Sequence, residues 1–403
     1  MEGQGDARPS SERPRRILII ASTFPVRGSV GTPPFVGTLA RQLADHFSVR
    51  IVTLFRGPKG GRQEYLEAGF EVVAVGRRSP GPIRVGLLSE WRSARSLLGE
   101  LLLLIRWLLA AILQVRRFRP DVVHIHWGFP VPSVIRLAQA VRLIPRTAYV
   151  VSMHGSDVQL LTTRWRRIIR FGLRGARKVT CVNRAQRDLL ADLGLPNHAV
   201  SVLAMPIDPV FFTRPANTES SDGIARLLFV GRLVPGKGLE RLLRAFQTLE
   251  HSGNIELTVA GGGPLLESAA KRYSEVLFTG PLTSEQIAGA MRTATLVVLP
   301  FAGPEGLPVT VLEAMATRTP ILLTRTDGVV DLEAEGAHFF ISSSGKSSKD
   351  LGDSIVLSLA QLSSSKAEWE RWLDRNLNVA QRFSAPEVGR RTAGLLSDAC
   401  DLA

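Results

Sequence analysis

The chain has 403 residues, 45% of them apolar, which is ordinary for a globular protein of about two or three domains. Its 50 Lys and Arg against 36 Asp and Glu give a formal net charge of +14, and the excess is confined to the first half: residues 1–208 hold 31 basic against 14 acidic residues, the remainder 19 against 22. Two cysteines, Cys181 and Cys400, exclude a disulfide framework and a cysteine-based metal site and fit a reducing cytoplasm, while the lopsided charge points to an anionic partner of the first half.

Residues 1–16 are polar and basic and read as a disordered tail. The apolar run Ile17 to Ala21 is too short for a signal-peptide core and reads as a first buried strand. A loop with Gly28 and Gly31 follows, then a helix over about Phe35 to His46. A strand, glycine loop and helix can bring backbone N–H groups close to a phosphate, although most such turns are structural. Further strands are expected at 49–54, 70–75, 121–126, 147–153, 178–182 and 200–203, several of them separated by helices. That alternation argues for a parallel, doubly wound sheet. Pro206 to Gly223, rich in Pro, Ser, Asn and Asp, reads as a linker. A second βα series has strands at 226–230, 255–260, 276–279, 296–300 and 321–324, and residues 367–402 read as two helices joined near Ser384-Ala385-Pro386.

Two basic stretches lie in the first half. In Trp91 to Arg119 the apolar part is broken by Glu100 and Arg106, so it is not read as a membrane span but as a core helix with a solvated basic face. Arg164 to Lys178 interleaves seven basic residues with Trp165, Ile168, Ile169, Phe171 and Leu173. It reads equally as a solvated face or as a contact with an anionic membrane or acceptor.

The residues with most chemical content lie between Glu305 and Ala316. Glu305 stands in a loop after a buried strand, Pro308 at the start of a helix and Glu313 within it. The helix start offers unpaired N–H groups at Gly306, Leu307 and Val309, with the positive end of the dipole, to a diphosphate. Each carboxylate, as an acceptor, can take two neighbouring hydroxyls. The plainer alternative is a dipole-favoured acid and a solvated one. Gly231-Arg232-Leu233-Val234-Pro235-Gly236-Lys237-Gly238 likewise follows a strand and opens a helix. Arg232 and Lys237 suit a diphosphate, one as a fork and one as a point charge, or else form a basic surface turn. Gly261-Gly262-Gly263-Pro264 is a backbone turn, and no dinucleotide fingerprint is completed. His154 ends a strand in a His-Gly-Ser-Asp turn, whereas His124 and His126 read as packing and acceptor-side shaping.

The stretch Glu305 to Ala316, with two Glu separated by seven residues and followed by Ala-Met-Ala, resembles the signature of the family 4 glycosyltransferases, retaining enzymes of the GT-B fold. The Gly231–Gly238 loop resembles the same family's Gly-Arg…Lys-Gly loop. One departure is Arg318-Thr319-Pro320, where the family has Gly-x-Pro. The resemblance implies an α/β GT-B fold, two Rossmann-like doubly wound domains facing across a cleft. The expected divisions are a tail at 1–16, an acceptor-side domain at 17–208, a linker at 209–224, a nucleotide-sugar domain at 225–383 and a terminal helix at 384–403 crossing back to the first domain. It implies a retaining, sugar-nucleotide-dependent transferase that uses no cofactor and no metal. The donor is a UDP- or GDP-sugar and the acceptor a hydroxyl of a glycan or lipid-linked molecule. By resemblance, Arg232 and Lys237 stabilise the leaving diphosphate, Glu305 orients the sugar, Glu313 binds the ribose and His154 lines the sugar side. Gly28 and Gly31 face the diphosphate and acceptor. The leaving phosphate oxygen itself takes the acceptor proton. The expected place is the cytoplasm, peripheral on the inner face of the cell membrane through an anionic lipid surface. Two other classes stand beside this: a non-catalytic sugar-nucleotide or glycan-binding relative, and a basic nucleic-acid binder. The second lacks any motif here, and no nucleic-acid partner is expected.

Overall fold

The computed structural model describes residues 13–27, 34–79, 94–155, 157–195, 199–213, 223–249, 254–342 and 347–401. Gly28 and Gly31 lie outside them. The first half runs β1 (Arg16–Ile20), α1 (Phe35–Ala44), β2 (Ser48–Gly57), β3 (Gly61–Glu67), β4 (Phe70–Arg78), α2 (Ala94–Phe118), β5 (Val122–His126), α3 (Val131–Ala140), β6 (Ala148–Ser152), α4 (Arg166–Leu173), β7 (Lys178–Cys181), α5 (Arg184–Ala191) and β8 (Val200–Val202). Its sheet has the order β3-β4-β2-β1-β5-β6-β7-β8, parallel except for the edge strand β3. β1 sits centrally, with Ile17 level with Val49 of β2 and Val122 of β5. Its side chains alternate between two cores, as a strand's geometry requires. Leu18 and Ile20 join the core under α2, α3 and α4, and Ile17 and Ile19 the core under α1.

The second half runs β9 (Ala225–Val230), α6 (Leu239–Leu249), β10 (Ile255–Ala260), α7 (Leu266–Arg272), β11 (Leu277–Gly280), α8 (Ser284–Thr293), β12 (Leu296–Leu299), α9 (Val309–Ala316), β13 (Ile321–Thr324), α10 (Asp327–Ala334), β14 (Phe340–Ser342), α11 (Ser348–Ser364), α12 (Lys366–Gln381) and α13 (Ala385–Asp401). Its sheet is parallel throughout, in the order β11-β10-β9-β12-β13-β14. α12 packs on α9, whereas α13 packs on α1, with Val388, Leu396 and Ala399 buried in the first domain's core. Two Rossmann-like sheets facing one another are the GT-B architecture.

Several boundaries differ from the sequence expectation. The folded chain begins earlier than residue 17: Arg16 opens β1, and the Arg15 guanidinium bonds Asp401 of α13 at 2.6 Å. The stretch taken as linker contributes to the second domain. Pro209–Phe212 form a 3-10 turn capped by Asp208, and Phe211 is buried among residues of β9, β12 and α9. β3, β14 and α11 had no counterpart in the sequence expectation. β3 is an edge strand with alternating exposure and only one clearly apolar pair, Tyr65 and Leu66, and β14 has three residues. At the end of α9 Arg318 takes the left-handed conformation (φ 56°) that glycine holds in the family motif. The Thr319 N–H closes back on the Ala314 carbonyl, and ion pairs to Glu370 and Asp374 of α12 hold the Arg318 side chain.

Candidate active site

Every candidate residue among those described follows the carboxyl end of a strand, so the topology gathers them at the cleft. On the second domain, β9 leads into Gly231 and Arg232, then a short 3-10 turn Pro235–Lys237, and α6. Gly238 (φ 78°) joins turn to helix. A Cβ there would stand 1.8 Å from the Pro300 carbonyl oxygen, so only glycine lets this loop press on the one after β12. The Gly236 carbonyl accepts N–H groups of Ala302 and Gly303, both at 3.0 Å. The two loops are thereby stitched together, and Lys237 meets Glu305: Nζ lies 2.8 Å from Oε1, with the ammonium 5.4 Å from the Phe301 ring centroid. Two residues assigned separately from sequence are one ion pair. Arg232 is exposed and has no partner among the described residues.

Pro308 stands just outside α9, as its N-cap with extended backbone, so Val309 and Thr310 begin the helix with N–H groups that lack an intrahelical acceptor. Glu313, one turn on, is half-buried, and its carboxyl has no hydrogen-bond or ion-pair partner among the described residues. Burial, with the charge of Asp208 adding to it, pushes its carboxyl up to about 8. This revises the expected acceptor-only carboxylate: in the free protein at neutral pH Glu313 is mostly protonated and donates as well as accepts.

Across the cleft, His154 stands after β6 in a cage of rings. The centroid of Trp127 lies 4.7 Å away, that of Phe35 5.6 Å, and the His126 ring stacks parallel at 5.2 Å. Trp127 holds a left-handed backbone (φ 74°), uncommon for a bulky side chain and found where function over-determines a conformation. Burial lowers all three histidines: His124 to about 4, His126 well below its ordinary value and His154 to about 3. All three are neutral at physiological pH. His126 Nδ1 and His154 Nε2 are 3.1 Å apart, so one proton is shared between them. The buried His126 Nε2 has no partner. An orphaned lone pair costs less than an orphaned N–H, so we assign the proton to His126 Nδ1. His154 then accepts at Nε2 and carries its own proton on Nδ1.

Asp157, whose role the sequence did not disclose, is the residue that builds this side. It is buried, and its carboxylate accepts the N–H groups of Gly128 (2.7 Å), His154 (2.9 Å), Gly155 (3.0 Å) and Val158 (3.1 Å). It therefore ties the loop after β5 to the loop after β6 and fixes the backbone of His154. The only sequence signal was its place in the His-Gly-Ser-Asp turn, where an Asp two or three residues on can bond the preceding N–H groups.

The domains touch beside the candidates. A Cβ on Gly155 would stand 3.4 Å from the Gly306 backbone. The Asn183 side chain caps α5 and donates to the Gly306 carbonyl at 2.9 Å, Gln159 donates to the Pro304 carbonyl at 3.2 Å, and Asp331 of α10 accepts the Arg184 N–H at 2.6 Å. His154 and Glu305 are the residues preceding the two touching glycines, so they flank the same contact from opposite domains. Hollows of about 360 and 500 Å³ beside α13 hold none of these residues. The candidate site is the cleft where the loops converge.

Comparison with known proteins shows the family and the fold. The Glycosyl transferase 4-like domain matches residues 30–206 and the Glycosyl transferases group 1 family matches residues 225–361. TuaC of Bacillus subtilis, named as a teichuronic acid biosynthesis glycosyltransferase, is 28% identical over 265 residues, which cover 62% of this chain and 65% of TuaC. A GDP-mannose-dependent alpha-(1-6)-phosphatidylinositol monomannoside mannosyltransferase of Mycolicibacterium smegmatis is 27% identical over 349 residues, covering 79% of this chain and 83% of its own. The first relatives are matched over about three-fifths of their length, 65% and 59%. The structure of HepE of Anabaena with UDP-glucose superposes with a TM-score of 0.66 at 16% identity, covering 95% of this chain and 99% of HepE. Sucrose-phosphate synthase of Thermosynechococcus elongatus superposes with a TM-score of 0.70 at 16% identity, covering 96% and 100%. At such identities these superpositions speak for the fold.

Proposed function

We propose, for a chain that belongs to the group 1, family 4-like glycosyltransferases, that it transfers a sugar from a UDP- or GDP-sugar to a hydroxyl of a glycan or lipid-linked acceptor, with retention and without a metal ion. The observation that carries this reading is the Lys237–Glu305 ion pair, held between two stitched loops at the mouth of α9 and opposed by His154. In the free protein the pair keeps both charges satisfied. An arriving diphosphate draws Lys237 away, since phosphate offers more charge than one carboxylate. Glu305 is then released to accept hydroxyls of the sugar. Arg232 adds a second cation, and the N–H groups of Leu307 and Val309 complete an anion cradle with Gly306 as its flexible edge. Cations already in place as the leaving diphosphate gains charge perform the task a metal performs elsewhere. Glu313 faces the ribose, and His154 presents its Nδ1 proton on the sugar side. For the acceptor proton, the leaving phosphate oxygen is the base nearest the reacting carbon. A UDP-sugar is supported by HepE, whose structure contains UDP-glucose, and a GDP-sugar and lipid-linked acceptor by the mycobacterial relative's name. The same reading places the work in the cytoplasm, on the inner face of the cell membrane.

The test is turnover of UDP- and GDP-sugars by wild type, Arg232→Ala and Lys237→Ala proteins. Loss of one preorganised charge is expected to lower kcat by about 10²–10³. Chelator is expected to leave wild-type turnover intact, and product NMR to report the donor's anomeric configuration. Wild-type rates in both variants would overturn the diphosphate assignment, and loss of turnover with chelator would overturn metal independence.

A further inference from the structure

The sequence pointed to α2 as a core helix with a solvated basic face, and the structure corrects this. α2 buries one side against the first sheet through Leu103, Trp107, Ala111 and Val115. Its only acid, Glu100, is turned inward and paired with Arg56 and Arg77. The outer side is apolar: Leu98, Leu101, Leu102, Ile105 and Leu109 are all 43–59% exposed. At about 100° per residue these five fall within an arc of about 100°, directly opposite Trp107. The segment Leu98–Phe118 has the length and composition of a bilayer span, yet one side of it is committed to the sheet. Arg106 is exposed at the edge of this stripe, and an apolar face covered on one side only lacks a partner for the other.

Its neighbours continue the pattern. α3 packs beside α2 and α4 beside α3, all over the same core. They expose Leu137 and Val141, and Ile168 and Phe171, respectively. Around these apolar patches the charge has one sign. Residues 101–178 contain 14 Arg and Lys against two acids, and both acids are occupied: Asp121 bonds the Arg16 N–H and Asp157 is buried. The next acids are Asp188 on α5 and Asp192 just after it. Direction matters as well. β4 and β5 are parallel, so α2 between them runs against the strands. Its apolar half, Leu98 to Leu109, therefore lies toward the strand ends that form the cleft, and Arg116, Arg117 and Arg119 lie at the far end.

We propose that the α2–α3–α4 face docks on an anionic bilayer, with the outer stripe of α2 immersed at the headgroup boundary and the arginines of α2 and α4 on lipid phosphates. Basic residues near such a surface each add attraction, and an apolar stripe adds burial that a purely electrostatic contact lacks. The cleft mouth is then held at the membrane surface, within reach of a lipid-linked acceptor. The docking does not depend on the transfer chemistry, because it is measured without donor.

The experiment is co-sedimentation of the full chain with vesicles of phosphatidylcholine alone and of phosphatidylcholine with phosphatidylglycerol, at low and high salt. Wild type is expected to bind the anionic vesicles only, and salt to weaken the binding without abolishing it. Leu101→Asp with Ile105→Asp, and separately Arg166→Glu with Arg167→Glu and Arg170→Glu, are expected to lower vesicle affinity by more than about tenfold. Both sets are exposed, so thermal midpoint and donor hydrolysis stay at wild-type values. Equal binding to both vesicles, binding to neither, or wild-type binding by the α2 variant would overturn the proposal. So would a dimer in sedimentation velocity that the α2 variant alone abolishes, since a second copy would then be the stripe's partner.

Discussion

Glu313, which we propose binds the ribose, shows what such a residue costs before its ligand arrives. Its carboxyl sits in α9 between the buried Leu312 and Ala314, near Asp208 and without a cation, and is pushed up to about 8. In the unfolded chain the same group titrates at about 4.3. Between those values the folded state holds the extra proton, so stability falls as pH rises from about 4.3 to 8 and levels off above. Glu313→Gln cannot ionise. The variant is expected to match wild type near pH 4 and to exceed it at pH 9 by up to about 5 kcal/mol. Denaturant melts at the two pH values check this, and a variant equal to or less stable than wild type at pH 9 would count against a buried, unpaired carboxyl. The same variant is expected to bind nucleotide diphosphate more weakly, the trade-off of a strained site. The histidines make a complementary statement. His126 and His154 are held neutral by burial far below pH 6.5, so the rate profile is expected to show no limb near 6.5. A limb there that vanishes in His154→Gln would show that the ring titrates during turnover.

At the scale of elements, the site is made by loops pressed together where a Cβ will not fit. Gly306 is the one of these that faces the opposite domain most closely. A methyl there would stand 2.8 Å from Gln186 Nε2 and 2.8 Å from Val182 Cγ2, both on the opposite domain. Gly306→Ala is therefore expected to hold the domains apart and to lower kcat about tenfold or more, since misplacement by about 1 Å is costly. Affinity for nucleotide diphosphate, which on the proposed reading binds the second domain, is expected to stay within about twofold. Calorimetry beside steady-state kinetics separates the two, and unchanged kcat would mean that Gln186 swings clear. The sequence showed every strand but the edge strands β3 and β14 within a few residues, because the apolar runs of the others are continuous, and it showed the charged loops because glycines and proline punctuate them. It did not show that Lys237 and Glu305 pair, because 68 residues separate them and only the Gly238–Pro300 approach and the Gly236 carbonyl's bonds bring their loops together. Nor did it show Asp157 as the anchor of His154, or Phe211 as core, since a short polar-flanked turn carries no periodicity. The exposed stripe of α2 was hidden for the opposite reason: a helix this rich in leucine has too little polar patterning to say which side is covered.

The molecule as a whole is two sheets held close by few polar contacts, with α13 returning to the first domain. Arg184 opens α5, and Asp331 of the other domain accepts its N–H at 2.6 Å. A carboxylate at that helix start is favoured by the dipole as well as the hydrogen bond. With Asn183 on the Gly306 carbonyl and Gln159 on the Pro304 carbonyl, it holds the side of the cleft near Glu305 and His154 together. The rest of the cleft carries no comparable bond among the described residues, and Arg232, Lys237 and Glu313 all belong to the second domain. Closure therefore governs transfer more than it governs capture of the nucleotide. Asp331→Ala deletes one latch without touching the core of either domain. It is expected to give a larger radius of gyration than wild type in solution scattering without donor, and a kcat lower by about tenfold, one lost hydrogen bond to a charged group being worth about 1.5–3 kcal/mol. Nucleotide diphosphate is expected to bind as in wild type and to close part of the difference in radius. Identical radii in the free state, or a loss confined to nucleotide affinity, would mean that the Arg184–Asp331 contact is incidental and that the relative position of the domains is set by α13 instead.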